Sequence, residues 1–276
     1  MKKVAIVACS NGQSREYENQ NIELVRFFEN HSIDVVQSTC IYEKKGIFPG
    51  TIAERAEELM KMFSDESVDE IYDISGGDIA NQILDNLDYE RIRNSQATFW
   101  GYSDLTTIIN AIYTMTGKSS VLYQVKNMVW GDCTEEQRYR FVDRKNLFDP
   151  EFEFVCGDKI EGVVVGGNIR CLLKLAGTKY FPDLDGKVLL LEALGGDVPQ
   201  ISTYFAQLKQ LGAFEKINGI LLGTFTTLEK NGGDVCKLVK EYAGDLPIAK
   251  TNEIGHGNDS KAIIIGEQII LSAHRV

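Results

Sequence analysis

Short aliphatic and β-branched runs alternate with stretches of helical periodicity in the first third of the chain. Residues 4–8 have the pattern of a buried strand, and further strands are predicted at 33–36 and 71–74. Residues 22–28 and 52–63 carry apolar side chains at helical spacing and predict the connecting helices. This βαβ alternation predicts an N-terminal α/β domain with a doubly wound, mostly parallel sheet, in which ligands lie at the carboxyl ends of the strands.

A strand at 97–101 and an amphipathic helix over residues 105–112 are predicted next, with apolar residues at i, i+3, i+4 and i+7. From about residue 128 to 158 the periodicity fades and charged residues accumulate. We therefore predict an N-terminal domain at 1–125, a linker or surface segment at 126–160, and a smaller α/β or β-rich C-terminal domain at 161–276. Strands of the second domain are predicted at 162–165, 188–191, 220–222, 247–249, 262–265 and 268–271.

Composition narrows the class of protein. Hydrophobic residues make up 43% and charged residues 25% of the 276 residues, which is typical of a globular domain. The net charge of −11 disfavours nucleic acid and anionic membrane as partners. The apolar run after Lys3 is shorter than the roughly 7 to 15 residues of a signal peptide, and no run approaches the roughly 18 residues of a membrane span, so we expect a cytoplasmic protein. No C-x-x-C pair is present to bind a metal.

Ser103 is a candidate nucleophile because only three residues separate the predicted strand from the predicted helix. A serine on such a sharp turn projects its hydroxyl from the carboxyl edge of the sheet, next to the positive end of a helix. The local string Gly101-Tyr-Ser-Asp-Leu105 departs from G-x-S-x-G at its last position. The alternative is that Ser103 only caps the helix.

A serine nucleophile needs a base, and the chain offers His31, His256 and His274. His256 lies between Gly255 and Gly257, whose backbone freedom allows an imidazole to be aimed, although a solvated loop histidine is also compatible with this pattern. His31 and His274 are more typical of a helix end and a chain terminus.

An orienting carboxylate is poorly determined among 40 acidic residues. Glu192 directly follows the apolar run 188–191, where a lone charge would be costly without a partner, but it is also compatible with an ordinary strand end. Gly76 and Gly77 follow another buried strand and could offer a backbone N–H to an oxyanion or simply form a turn. Neither this Gly-Gly pair nor the second one, at residues 166–167, matches a nucleotide-binding sequence pattern.

Several longer strings occur in a fixed order: 73–77 (Asp-Ile-Ser-Gly-Gly), 83–92, 99–106 (Phe-Trp-Gly-Tyr-Ser-Asp-Leu-Thr), 161–168 (Glu-Gly-Val-Val-Val-Gly-Gly-Asn), 175–178, 186–192, 219–225 and 254–256 (Ile-Gly-His). Together they resemble the LD-carboxypeptidase family of serine peptidases, which includes the microcin C self-immunity proteins. The resemblance runs nearly end to end.

The resemblance implies a two-domain serine carboxypeptidase. By motif match Ser103 is the nucleophile, His256 the general base and Glu192 the orienting acid, and the backbone N–H groups of Gly77 and Asp104 form the oxyanion hole. Members of the family are cytoplasmic homodimers without metal or organic cofactor. The implied substrate is a small peptide, a muropeptide whose terminal D-amino acid is removed. Gly76 and Arg170 are candidates for substrate contacts, Arg170 only by position and charge.

Some residues depart from the family pattern. Residues 121–126 (Val-Leu-Tyr-Gln-Val-Lys) replace a common His-Gly-Pro segment, and Asp78 after Gly77 predicts a more acidic site mouth. Trp130 is the only tryptophan of residues 126–160, where the immunity branch is expected to place aromatic side chains against its substrate. We favour muropeptide cleavage, with cleavage of a microcin-type aminoacyl-nucleotide as one alternative. A non-catalytic small-peptide-binding protein is the alternative from another class, and a nucleotide-dependent enzyme has less support.

Overall fold

Two six-stranded sheets with helices on their faces make up the part of the chain that the computed structural model describes, residues 2–273. The predicted two-domain α/β class is confirmed. The strands are, in chain order, β1 (Lys3–Val7), β2 (Asp34–Gln37), β3 (Glu70–Asp73), β4 (Thr98–Gly101), β5 (Ser120–Leu122), β6 (Glu153–Cys156), β7 (Lys159–Asn168), β8 (Val188–Ala193), β9 (Gly219–Phe225), β10 (Ile248–Lys250), β11 (Ile263–Ile265) and β12 (Gln268–Ser272).

The α-helices are α1 (Glu18–Asn30), α2 (Ile52–Ser64), α3 (Tyr89–Asn94), α4 (Thr106–Thr116), α5 (Thr134–Val142), α6 (Arg144–Leu147), α7 (Ile169–Leu173), α8 (Val198–Gln210), α9 (Thr226–Lys230) and α10 (Val235–Ala243). Short 3₁₀ turns cover Arg15–Tyr17, Ala80–Asn86, Ser103–Leu105 and Val125–Met128. Among residues 2–273, no helix has both the length and the apolar character needed to cross a bilayer.

The first sheet has the order β11-β5-β4-β3-β1-β2. Its strands β1 to β5 are parallel, and β11 joins β5 in the antiparallel sense. The assignment of residues 262–265 to the strands of the second domain was therefore wrong, because an apolar run indicates a strand but not the sheet that it joins. The carboxyl ends of β3 and β4 therefore lie side by side. This places the Gly-Gly loop after β3 next to the turn that carries Ser103.

The second sheet has the order β12-β7-β8-β9-β10-β6. Its central strands β7 to β10 are parallel, and the edge strands β12 and β6 are antiparallel. Every residue of β8 is buried, because the helices α7, α8 and α10 pack on one face and the first domain covers the other. Glu192 near the end of β8 consequently lies in the interior.

Helix α4 lies between the two sheets. Its predicted apolar stripe is buried, with Ile109 in one cluster with Val164 of β7. The prediction of an amphipathic helix was incomplete, because its polar side chains are buried as well. Asn110 exchanges two hydrogen bonds of 2.9 Å with the backbone of Gly166, and Thr106 Oγ1 accepts one of 3.0 Å from Asn168 N. The polar side chains of α4 thus form hydrogen bonds with the backbone of β7, which the spacing of apolar residues alone does not reveal.

Residues 126–160 contain α5, α6 and β6. Phe141 and Leu147 are buried in one cluster with Phe28 and Tyr72 of the first domain, while β6 pairs with β10 of the second sheet. The domain limits of 1–125, 126–160 and 161–276 stay a prediction. The segment between the two domains packs against both of them.

Candidate active site

Ser103 lies on a strained turn at the carboxyl end of β4. Its φ of +55° falls in the left-handed region, which costs a non-glycine residue of the order of 1–3 kcal/mol. The turn is tight, since a Cβ added to Gly101 would meet Leu105 Cβ at 2.7 Å. The 3₁₀ turn that Ser103 begins leads directly into α4, so its hydroxyl lies at a helix N-terminus.

Ser103, His256 and Glu192 form a continuous hydrogen-bonded chain. His256 Nε2 lies 3.1 Å from Ser103 Oγ, and His256 Nδ1 lies 2.8 Å from Glu192 Oε2. The three residues come from the turn after β4, from β8 and from the loop after β10, and 153 positions of sequence separate the serine from the histidine. The arrangement suits a serine activated by an imidazole whose orientation is fixed by a carboxylate.

Glu192 is fully buried, and its second carboxylate oxygen is also engaged. Asn168 Nδ2 donates to Oε1 over 2.9 Å. The ring of Tyr102 stands edge-on to the imidazole of His256 with 4.9 Å between the ring centroids. Burial, and secondarily the charge of Glu192, raises the pKa of the Tyr102 hydroxyl well above its usual value. Tyr102 therefore stays neutral and packs against the imidazole.

The loop that carries His256 is held by close packing and by hydrogen bonds from residues 126–160. A Cβ on Gly255 would lie 1.7 Å from Thr224 Oγ1, so this position has no room for a side chain. Asn127 Nδ2 donates to Ser260 Oγ over 3.0 Å, and Gln137 Nε2 donates to Ser260 O over 3.1 Å. The segment between the two domains thus fixes the position of the histidine loop.

The Gly77 and Asp104 amides lie in the two loops that meet at Ser103. Gly77 has a φ of +117°, and an added Cβ would lie 2.2 Å from Asn11 Cγ, so only glycine fits. Among the hydrogen bonds of residues 2–273, neither amide donates to a protein acceptor. An oxyanion hole requires such unengaged donors. Gly77 lines both cavities at Ser103, whereas Asp104 is fully buried and lines neither.

The Asp104 side chain turns away from the site into the interior. It is fully buried and accepts hydrogen bonds from Ser10 Oγ at 2.6 Å and from Ala80 N at 2.8 Å. Lys174 Nζ lies 2.5 Å from its other oxygen. The paired carboxylate ties the Gly-Gly loop, α7 and the Ser103 turn together.

The guanidinium of Arg170 already contacts oxygen atoms of the protein. It forms an ion pair with Asp78 and donates to Gly77 O over 3.0 Å. Lys174 Nζ also donates to Asp78 O over 3.0 Å. Cations from α7 and the residue after it therefore lie against Asp78, and a site mouth more acidic than in relatives stays a prediction.

Two cavities open on Ser103. The first, of about 430 Å³, is lined by the Asp78–Arg170 pair, Asn168 and residues 193–196. The second, of about 250 Å³, is lined by Gly76, His256, Lys126 and Asn127. Gly77, Ser103 and Leu194 border both. A cavity of about 900 Å³ elsewhere is lined mainly by residues 44–55, away from the hydrogen-bonded chain.

Two further residues at the site were missed by the sequence analysis. Asn168 ends a string that matches the family, and Lys126 ends a segment that departs from it, so neither was identified as a site residue. Lys126 is half-buried, and burial lowers its pKa to about 8. Of the other histidines, His31 caps the C-terminal end of α1 and its Nδ1 donates to Phe27 O over 2.7 Å, and His274 is outside the described residues.

Comparison with known families and proteins gives consistent results. The model of the LD-carboxypeptidase N-terminal domain matches residues 4–123, and that of the LD-carboxypeptidase C-terminal domain matches residues 161–271. A Vibrio cholerae protein that bears a provisional carboxypeptidase name is 27% identical over 216 residues. That match covers 66% of this chain and 65% of the relative, so the chain spans just under two thirds of its length.

Two other relatives carry more specific names. The probable murein peptide carboxypeptidase of Bacillus subtilis is 26% identical over 265 residues, which cover 89% of this chain and 82% of that protein. The microcin C7 self-immunity protein MccF of Escherichia coli is 25% identical over 242 residues, covering 75% and 70%. A solved structure of a microcin C7 self-immunity protein with aspartyl sulfamoyl adenosine has a TM-score of 0.88 at 19% identity, covering 98% of this chain and 93% of that one.

Proposed function

Because the chain belongs to the LD-carboxypeptidase family, we propose that it is a serine carboxypeptidase that hydrolyses the amide before a terminal D-amino acid in muropeptides. The observation that carries the proposal is the hydrogen-bonded chain from Ser103 through His256 to the buried Glu192. A protein that only binds a peptide has no need of a serine paired with an oriented imidazole.

In the proposed reaction Ser103 Oγ attacks the carbonyl carbon before the terminal residue, and His256 Nε2 takes the hydroxyl proton. Glu192 accepts a hydrogen bond from His256 Nδ1 and stabilises the imidazolium that forms. Collapse of the tetrahedral intermediate breaks the C–N bond, and His256 returns the proton to the leaving amine. Water, deprotonated by His256, then hydrolyses the acyl-enzyme and regenerates Ser103.

The backbone N–H groups of Gly77 and Asp104 are assigned to the oxyanion. This assignment is supported by the lack of protein acceptors for these amides among residues 2–273 and by the position of Gly77 on the border of both cavities. Such donors stabilise the negative charge that develops on the carbonyl oxygen.

We further propose that the enzyme acts as a cytoplasmic homodimer without metal or organic cofactor. These properties rest on the family resemblance. The mechanism above supplies the nucleophile, the base and the oxyanion donors from the chain itself.

Cleavage of an aminoacyl-nucleotide is the alternative within the same chemistry. It is favoured by the MccF relative and by Trp130, whose ring lies 4.3 Å from that of Tyr17 between centroids and 5.0 Å from Lys126 Nζ. A nucleobase could stack on such an aromatic pair. The murein peptide carboxypeptidase relative, which covers more of the chain, favours the muropeptide.

The test incubates wild-type protein and the Ser103→Ala variant with a muramoyl tetrapeptide ending in D-alanine and, in parallel, with an aminoacyl-nucleotide conjugate, read by mass spectrometry. We expect release of D-alanine by wild type and a loss of about 10⁴ to 10⁶-fold in the variant. Ser32→Ala is the matched control, since Ser32 is the other serine with a positive φ and lies after α1. Cleavage of only the conjugate would favour the immunity reaction, and tight binding without any cleavage would favour the peptide-binding protein.

A further inference from the structure

Two cavities open on Ser103, and the position of His256 distinguishes them. In acyl transfer the leaving amine must accept its proton from the imidazole, so the leaving residue occupies the side on which the imidazole lies. His256 lines the cavity of about 250 Å³ and is not among the residues lining the larger one. The smaller cavity therefore receives the single leaving residue, and the larger receives the acyl part.

Lys126 supplies the cationic side chain of the smaller cavity. The cavity is also lined by Gln124 and Asn127, by residues of the Gly-Gly and histidine loops, and by Tyr102, Ser103 and Leu194. Lys126 Nζ donates to Gln13 Oε1 over 3.1 Å and lies 5.0 Å from the centroid of the Trp130 ring. Both partners are neutral, and among the described residues no carboxylate lies within ion-pair distance of this ammonium.

An ammonium group that lies in a small, partly buried cavity and has no counter-ion is suited to bind an anion. The cost of burying its charge is evident in its pKa, which burial lowers to about 8. An anionic group of a ligand would relieve that cost and complete the three donors of the ammonium. Arg170 on the acyl side differs, because Asp78 already neutralises it.

We propose that Lys126 binds the free α-carboxylate of the terminal amino acid that leaves, and so makes the enzyme an exopeptidase. The proposal rests on the proposed function for the identity of the leaving group. A substrate chain that continues beyond this residue, or ends in an amide, has no carboxylate to offer. Lys126 is thus a specificity-determining residue for the same reaction.

The experiment compares a tetrapeptide ending in D-alanine with the same peptide ending in D-alanine amide. Wild type, Lys126→Met and Lys126→Arg are assayed for kcat/KM on both. We expect Lys126→Met to lose about 10- to 100-fold on the acid, the range of a charge-assisted hydrogen bond, and to change little on the amide. Lys126→Arg should keep part of the preference. Lys179→Met is the matched control, because Lys179 Nζ also lies 5.0 Å from an aromatic centroid, that of Tyr180, outside both cavities.

Binding to the Ser103→Ala protein separates this proposal from the proposed function. Calorimetry measures the affinity of the acid and of the amide for Ser103→Ala with and without Lys126→Met. Acid-selective binding that depends on Lys126 supports the carboxylate site even when wild type cleaves neither peptide, a result that would overturn only the proposed reaction. An unchanged acid-to-amide ratio in Lys126→Met, in turnover or in binding, would overturn the role of Lys126. An unchanged far-UV circular dichroism spectrum and melting temperature show that the variant is folded.

Discussion

Arg170 and Lys126 are cationic side chains that line the two cavities at Ser103, yet their surroundings differ. Arg170 pairs with Asp78 and donates to Gly77 O, so its charge is used within the protein. Lys126 contacts a neutral amide oxygen and an aromatic ring. The difference teaches that the availability of a charge depends on its partners and not on its nearness to the nucleophile.

Ser103 borders both cavities, so a change in the hydrogen-bonded chain that it begins should lower activity whichever cavity binds the terminal residue. We expect Glu192→Gln to lower kcat by about 10³ to 10⁴-fold on acid and amide peptides alike, because the neutral amide cannot stabilise the imidazolium. Steady-state kinetics on both peptides, with Glu241→Gln as an exposed control, measures this. A loss below tenfold would remove Glu192 from the mechanism.

Gly77 borders both cavities, and its replacement should affect both substrates through the oxyanion. Gly77→Ala places a Cβ at positive φ against Asn11, so the loop must shift, and we expect kcat to fall by about 10²-fold. Gly117→Ala is the control, since Gly117 also has a positive φ but has no atom within 4 Å of an added Cβ. Equal kcat losses in the two variants would show that backbone strain, and not the oxyanion loop, is responsible.

A change of pH should distinguish the two cavities, because burial lowers the pKa of Lys126, whereas the pKa of Arg170 is raised. Burial lowers the pKa of Lys126 to about 8, an effect that the charge of Asp73 opposes. The lysine is therefore charged below pH 8 and loses its charge as pH rises through this value. KM for the acid peptide should rise about tenfold between pH 7 and pH 9. KM for the amide should stay constant over this range.

The Lys126→Arg variant serves as the control for this pH dependence. Arginine stays charged throughout the range, so its KM for the acid peptide should be flat. A rise of KM with pH in this variant equal to that of wild type would assign the titration to another group.

The smallest effect on activity is expected from replacing Arg170, which lines the larger cavity. Arg170→Met removes a pair whose members are 40% and 62% exposed, and such pairs contribute only about 0–1 kcal/mol. We expect kcat/KM on the acid peptide to change by no more than about fivefold. A loss of kcat/KM as large as that of Lys126→Met would indicate that the larger cavity binds the terminal carboxylate, with Arg170 and not Lys126 as its partner.

Much of the fold could be predicted because each buried strand carries its own apolar signal. The strands β1, β3, β4 and β8 match runs that are apolar on both faces to within one or two residues. The short strands β5 and β6 were not predicted. β5 is three residues long, and β6 is a half-exposed edge strand in a stretch rich in charge, so neither has a clear period.

The site could be predicted in part. Ser103 was singled out by its place between strand and helix, and the scarcity of histidines pointed to His256. Glu192 was one of many acids until its motif was matched. The hydrogen-bonded distances among these residues agree with the predicted roles, which stay a prediction until the variants are assayed.

The sequence by itself determined the α/β class, the strands that end at the site and the residues with the chemistry for acyl transfer, since these depend on local pattern and residue type. Only the tertiary structure decided which charges are neutralised. Asp78 lies 92 positions from Arg170, and Lys126 lies 113 positions from Gln13. Electrostatic interactions and burial act through space over a few ångströms, so the pairing of distant residues follows from how the two sheets pack.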